Sequence, residues 1–192
     1  MEKFNTYVDS IDLGPWRELC DKKGTVKCFR KGESFACCGD SVKHFGLIRK
    51  GYFKYTVADT CGEEHITGFA FSGCPVGDAL SIVCEQPLKS NIIAAVTAEV
   101  MMCPVAELKH LFEESPMQCR ILFENLFRQA YTQYLDLYRL SPKERYLALL
   151  KRCPDILQNI TLKELASYLQ ITPTHLSRIR KELTFTDTFP LS

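Results

Sequence analysis

The stretch Ile160-Thr-Leu-Lys-Glu-Leu-Ala-Ser-Tyr-Leu-Gln-Ile-Thr-Pro-Thr-His-Leu-Ser-Arg-Ile-Arg-Lys-Glu-Leu183 decides the reading of the whole chain. Thr161 with Glu164 three residues on is a capping box, so a helix starts here and runs to about Leu169. Leu162, Leu165, Ala166 and Leu169 recur at helical spacing and give that helix its buried face. After a brief turn at Gln170 and Ile171, Thr172 caps a second helix with Pro173 at its first position. In it Leu176, Ile179 and Leu183 point inward, while Thr174, His175, Ser177, Arg178 and Arg180 or Lys181 point outward. Two short helices joined by a tight turn, with the small Ala166 where they cross, form a helix-turn-helix, whose second helix enters the DNA major groove at its N-terminal end. Arg178 suits guanine O6 and N7, and Pro173 and Thr174 suit a thymine methyl or a base edge. Thr172, His175, Ser177 and Arg180 suit phosphates. The plainer alternative is an αα-hairpin with a solvated outer face.

Moving toward the N-terminus, Ser141 and Pro142 read as cap and first residue of a helix over 143–152 that Cys153-Pro154 stops. Before it, about Pro116 to Leu140 is one long helix. Phe123, Phe127, Tyr131, Tyr134 and Tyr138 recur every three or four residues, and Cys119, Leu122, Leu126 and Leu135 widen the stripe. So wide an apolar surface needs two partners. One is the preceding domain; the other is either the chain's own C-terminal part or a second copy of the helix. Phe- and Tyr-rich stripes suit interfaces, which favours the dimer.

From Gly24 to about Val105 the texture changes to short strands rich in β-branched and aromatic residues: 25–29, 44–48, 52–57, 65–71 and 91–97. Turn signals fall between them at Gly32, Gly39, Gly51, Gly62 and Gly73, a spacing that indicates an antiparallel barrel or jelly roll. Phe53, Tyr55 and Val57 would share one face, with Tyr52, Lys54 and Thr56 on the other. Val76 to Val83 reads as a glycine turn opening a short helix.

Composition bounds the function classes. The 192 residues carry 24 Lys+Arg against 23 Asp+Glu, which argues against a polybasic coat for nucleic acid. Residues 141–192 hold eight basic and five acidic side chains, net +3, which leaves 16 basic and 18 acidic, net −2, for the rest. Neither a secretory leader nor a long apolar span stands out, so a cytoplasmic protein is expected, with its ten cysteines mostly reduced and buried. An enzyme is disfavoured: the four histidines lack metal-ligand spacing, and neither a nucleophile-elbow nor a phosphate-loop pattern occurs.

In this order, barrel, long helix and helix-turn-helix resemble the Crp/Fnr superfamily of bacterial transcription factors, over nearly the whole chain. Phe69 to Asp78 is similar to the opening of that family's effector cassette, and Leu165 to Leu183 to its DNA-binding helices. The resemblance implies an α+β chain with a jelly-roll sensor over 1–114, a dimerisation helix over 115–140 and a helix-turn-helix domain over 141–192. It also implies double-stranded DNA and a second copy as partners, with RNA polymerase a further candidate and no membrane. Effector contacts would fall on Gly77, Asp78, Lys89 and Ser90. Three departures qualify this. Members that bind cyclic AMP carry Gly-Glu and, ten residues later, Arg-Ser; here Gly77-Asp78 and Leu88-Lys89 stand there, which speaks against cyclic AMP. The cysteines are not clustered, which speaks against an iron–sulfur site, and no cofactor or metal is expected. The family's closing β-hairpin has only Thr184 to Ser192 to draw on, with Phe185 and Phe189 as candidates for one short strand, so the wing is expected to be truncated. The alternative function is a small-molecule or redox-sensing barrel whose C-terminal helices meet a protein partner.

Overall fold

The computed structural model describes residues 4–188, whose contacts divide the chain into two compact units, Met1–Thr132 and Gln133–Ser192. Unit 1 opens with a 3-10 turn, Thr6–Ser10, and helix α1, Gly14–Lys23. Eight strands follow: β1 Thr25–Phe29, β2 Ser34–Ala36, β3 His44–Lys50, β4 Tyr52–Ala58, β5 Glu64–Phe71, β6 Pro75–Val76, β7 Asn91–Ala94 and β8 Ala98–Pro104. Helix α2, Ala79–Cys84, interrupts them, and α3, Val105–Glu114, and α4, Pro116–Arg139, come after. The strands pair antiparallel in two four-stranded sheets, β1-β8-β3-β6 and β2-β7-β4-β5, the jelly roll that the strand spacing predicts. The turns explain the spacing. Gly51 between β3 and β4 has φ 80°, and a Cβ there would lie 2.7 Å from the Thr97 carbonyl oxygen, so only glycine fits.

Two hydrophobic clusters hold unit 1. Phe29, Ile48, Phe53, Leu88, Ile92 and Val100 fill the barrel interior, with Tyr55 packed against them. Trp16, Phe45, Met101, Leu108, Phe112 and Leu122 form the second cluster, which joins α1, α3 and α4 to β3 and β8. The alternation read in β4 holds at its start, where Phe53 and Tyr55 belong to the interior and Tyr52 packs against Phe69 and Phe71. Phe4 meets the same two rings edge-on at 5.5 Å, so the N-terminal segment covers this outer face. Opposite Tyr55 and Thr56, β5 places Gly68 and Ile66, so Thr67 is an inserted bulge residue.

Unit 2 contains α5, Pro142–Arg152, α6, Ile156–Asn159, α7, Leu162–Tyr168, and α8, Pro173–Thr188. Tyr146, Leu149, Ile156, Leu165, Leu176 and Ile179 are its buried core. Because α8 runs through Thr188, the stretch 184–188 is helical and not the expected strand, and Phe189 lies outside the described residues. Leu162, expected inside, is 38% exposed, since the first residue of α7 follows its cap on the solvent side. The thiols also need correction. Cys20, Cys103 and Cys153 are buried, but Cys28, Cys37, Cys38, Cys61 and Cys84 are exposed, because Cys37, Cys38 and Cys61 sit in turns that no core can enclose. Burial, then the neighbouring Cys103, pushes the Cys20 thiol up to about 12.

Candidate nucleic-acid interface and sensor cassette

The helix-turn-helix assembles as its caps dictate. Glu164 accepts from the Thr161 N–H at 2.9 Å while its own N–H donates to Thr161 Oγ1 at 3.2 Å. The chain then turns at Gln170, which takes a left-handed φ of 55°, and Ile171 N–H donates to the Ala166 carbonyl at 3.0 Å. His175 N–H donates to Thr172 Oγ1 at 3.1 Å, so Thr172 is the cap of α8. Ala166, wholly buried, lets α7 and α8 cross closely.

Six of the seven residues read as DNA contacts come together on one exposed surface: Thr172, Pro173, Thr174, His175, Ser177 and Arg178. Arg178 makes no ion pair among the described residues and projects into solvent. Ser177 donates its hydroxyl to the Pro173 carbonyl at 3.0 Å, so that proton is committed to its own helix. Arg180 is half-buried and hydrogen-bonds Tyr146. Burial pushes the Tyr146 hydroxyl upward, and the guanidinium partly offsets this.

Arg145 was legible only as part of a basic excess. Its guanidinium donates to the Leu140 carbonyl at 2.8 Å and the Leu169 carbonyl at 3.0 Å, tying the start of α5 to the turn of the motif. It is a positioning residue, and no spacing rule points to it.

Along α4, Phe127, Tyr131, Tyr134 and Tyr138 are 69%, 51%, 54% and 75% exposed, on steps of four, three and four residues. Phe127 and Tyr131 stack at 5.6 Å, and Tyr134 meets Tyr138 at 5.2 Å. A row of bare rings at this spacing is an exposed apolar stripe along one face of the helix. Phe123, read with them, lines a cavity in unit 1, which Phe127 also borders.

That cavity, about 440 Å³, adjoins the cassette. Gly77 and Asp78 line it; Lys89 and Ser90 do not. Asp78 Oδ1 accepts from Ser81 N–H at 2.8 Å and so caps α2. Leu88 is buried in the barrel interior, its N–H bonded to the Asp40 carbonyl at 3.0 Å, and Lys89 is exposed. Among the described lining residues there is no Lys, Arg or His to meet a phosphate. Tyr55, which sequence reading placed only as a strand residue, fastens the cassette: its hydroxyl donates to the Gly77 carbonyl at 2.9 Å. Burial pushes that hydroxyl well above the ordinary tyrosine range, so it remains the donor.

Elsewhere, Asp59, Glu63 and His65 on the β4–β5 hairpin bring ligand atoms within 4.8 Å of one another, a grouping that histidine spacing alone does not reveal. Asp59 and Glu63 lie at the exposed turn and His65 at the start of β5, and Asp59 Oδ1 already accepts the Cys61 and Glu63 N–H groups. No helix among the described residues is long and apolar enough to cross a membrane.

Comparison with known proteins agrees with this geometry. The cyclic nucleotide-binding domain family matches residues 26–115, from β1 to the end of α3. The chain is 25% identical over 185 residues to electron transport regulator A of Shewanella oneidensis, covering 90% of this chain and 72% of that protein. In structure it is similar to FixK2 of Bradyrhizobium japonicum, with a TM-score of 0.74 at 17% identity over 85% of this chain and 86% of that one. It is also similar to the c-di-GMP-responsive global regulator CLP of Xanthomonas campestris, with a TM-score of 0.65 at 17% identity over 92% and 93%. A region matched by the cyclic nucleotide-binding domain family, a long helix and a helix-turn-helix thus stand in one order, and the chain shares its fold with these solved structures.

Proposed function

We propose that this protein is a cytoplasmic, non-enzymatic transcription regulator that binds a two-fold symmetric DNA site as a homodimer. The observation that carries the reading is the doubly capped helix-turn-helix, which presents Arg178, unpaired among the described residues, beside Pro173, Thr174 and His175 on the first turns of α8. A bidentate arginine on the exposed face of such a helix reads guanine, while the cap residue and the helix N-terminus meet phosphates. The four exposed rings of α4 supply the dimer seam, and dimerisation doubles a small set of phosphate contacts into useful affinity.

The sensor does not take cyclic AMP in this reading. Leu88 cannot pair with a phosphate, and Asp78 is engaged in capping α2. No iron–sulfur cluster or metal is assigned, and RNA polymerase is a candidate partner once DNA is bound.

Binding to a pool of randomised duplexes at moderate salt tests the function. The wild-type chain should retain a sequence-restricted fraction, and Arg178→Ala should retain an unrestricted one. A wild-type chain with no sequence preference would overturn the reading in favour of a protein-binding C-terminal unit.

A further inference from the structure

The cavity of unit 1 has properties that the cassette comparison does not explain. At about 440 Å³ it falls within the roughly 300–1,000 Å³ range of small-molecule sites. Its walls are aromatic and aliphatic, with Trp16, Phe45, Phe69 and Phe127 among them. Among the described lining residues the one charged side chain is Asp78, and that carboxylate is half-answered, because Oδ1 takes the Ser81 N–H. The Tyr55 hydroxyl and the Asn5 amide are committed to the Gly77 and Phe69 carbonyls. Such a lining repels an anion, since burying a negative charge beside a carboxylate with no cation is costly. A cation would have to shed its own hydration to meet a carboxylate that is already partly engaged, which favours a neutral donor.

Gly68 shows that space is kept here. It lies on β5 opposite Tyr55 and lines the cavity, and a Cβ built on it meets only Tyr55 Cδ2, at 3.9 Å. Its φ is not in the left-handed region, so the backbone does not require glycine. The Cβ of a larger residue would have room here, and its side chain would take up cavity space.

We propose that this cavity binds an uncharged aromatic molecule bearing one N–H or O–H donor, with the rings among Trp16, Phe45 and Phe69 and the donor directed at Asp78. The inference rests on unit 1 being a sensor and does not depend on DNA binding. Trp16 is the chain's one tryptophan, so occupancy is read directly from its fluorescence.

The test titrates the full chain with 1-naphthylamine, a neutral fluorescent arylamine, and with 1-naphthoate, its anionic counterpart in size. The arylamine should bind saturably, one per chain, and quench Trp16, whereas naphthoate should bind at least about ten-fold more weakly. Gly68→Leu should weaken the arylamine about ten-fold or more with the fold unchanged by circular dichroism. Asp78→Asn, which keeps an N-cap residue before α2, should narrow the gap between the two probes. Arylamine affinity that is unchanged in Gly68→Leu would place binding elsewhere, on Tyr131, Tyr134 and Tyr138 of α4 for example, and overturn the proposal. So would equal binding of the two probes to wild type, or a probe gap that Asp78→Asn leaves untouched. Loss of probe binding with DNA preference intact would sink this inference alone; intact probe binding without DNA preference would sink only the regulator reading.

Discussion

Arg178 and Arg180 are two residues apart and do different work. Arg178 is exposed and unpaired among the described residues, so Arg178→Ala should remove about 1–3 kcal/mol of discrimination at one base pair of each half-site and leave thermal stability unchanged. Competition binding with single-base-substituted duplexes measures it. Arg180 is half-buried against Tyr146. Arg180→Ala should therefore lower thermal stability and weaken all sequences alike. Tyr146→Phe should reproduce the stability loss and keep most of the affinity, which thermal melts and anisotropy titrations on the same two variants separate. The sequence lists both arginines as outward-pointing. What it cannot display is that Tyr146, more than thirty positions earlier, folds back onto one of them, or that Arg145 holds the Leu169 carbonyl.

Elements defined by local rules were the most legible. The starts of α7 and α8 follow from Thr161, Glu164, Thr172 and Pro173, and the strand β1 falls on the residues read for it, because caps and short-range periodicity act within a few residues. Helices α1 and α3 went unread, although Trp16 with Cys20 and Val105 with Leu108 and Phe112 carry the required spacing. Their apolar residues are continuous in texture with the strands beside them, and only packing against β8 separates the two. Likewise Gly77 and Asp78 reach the cavity while Lys89 and Ser90 do not, a matter of how the cassette folds around Tyr55.

Two predictions belong to the elements. Ser141 and Glu144 form the box that starts α5, and the bonds from the Ser141 hydroxyl and N–H hold the Glu144 carboxyl below its ordinary range. A depressed pKa contributes stability that is complete above the unfolded value, about 4.3, and is lost as pH falls through the lower folded value. Glu144→Gln should thus melt lower than wild type at neutral pH, with the difference shrinking in acid below the ordinary glutamate range. In α4, Phe127→Glu combined with Tyr134→Glu places charges on the exposed seam. Sedimentation should then change from dimer to monomer mass, and a mass equal to wild type would exclude this face as the interface.

For the whole molecule, the near-neutral charge conceals an asymmetry: 16 basic and 18 acidic side chains before residue 141, against eight and five after it. Within unit 2 the asymmetry is smaller in effect than in number, since Arg145 is spent on carbonyls, Arg180 on Tyr146, and Lys143 lies 3.5 Å from Glu182. Few cations remain to displace counterions, and each phosphate contact adds about −0.9 to the slope of log affinity against log salt. On the proposed function, specific binding comes from base contacts repeated across a dimer. The most direct measurement is the sequence of duplexes that the full-length chain retains from a randomised pool at moderate salt. A two-fold symmetric consensus is predicted, with half-sites one helical turn apart, about 34 Å, and one dimer bound per duplex. An asymmetric consensus bound by a single chain, or no consensus at all, would contradict it.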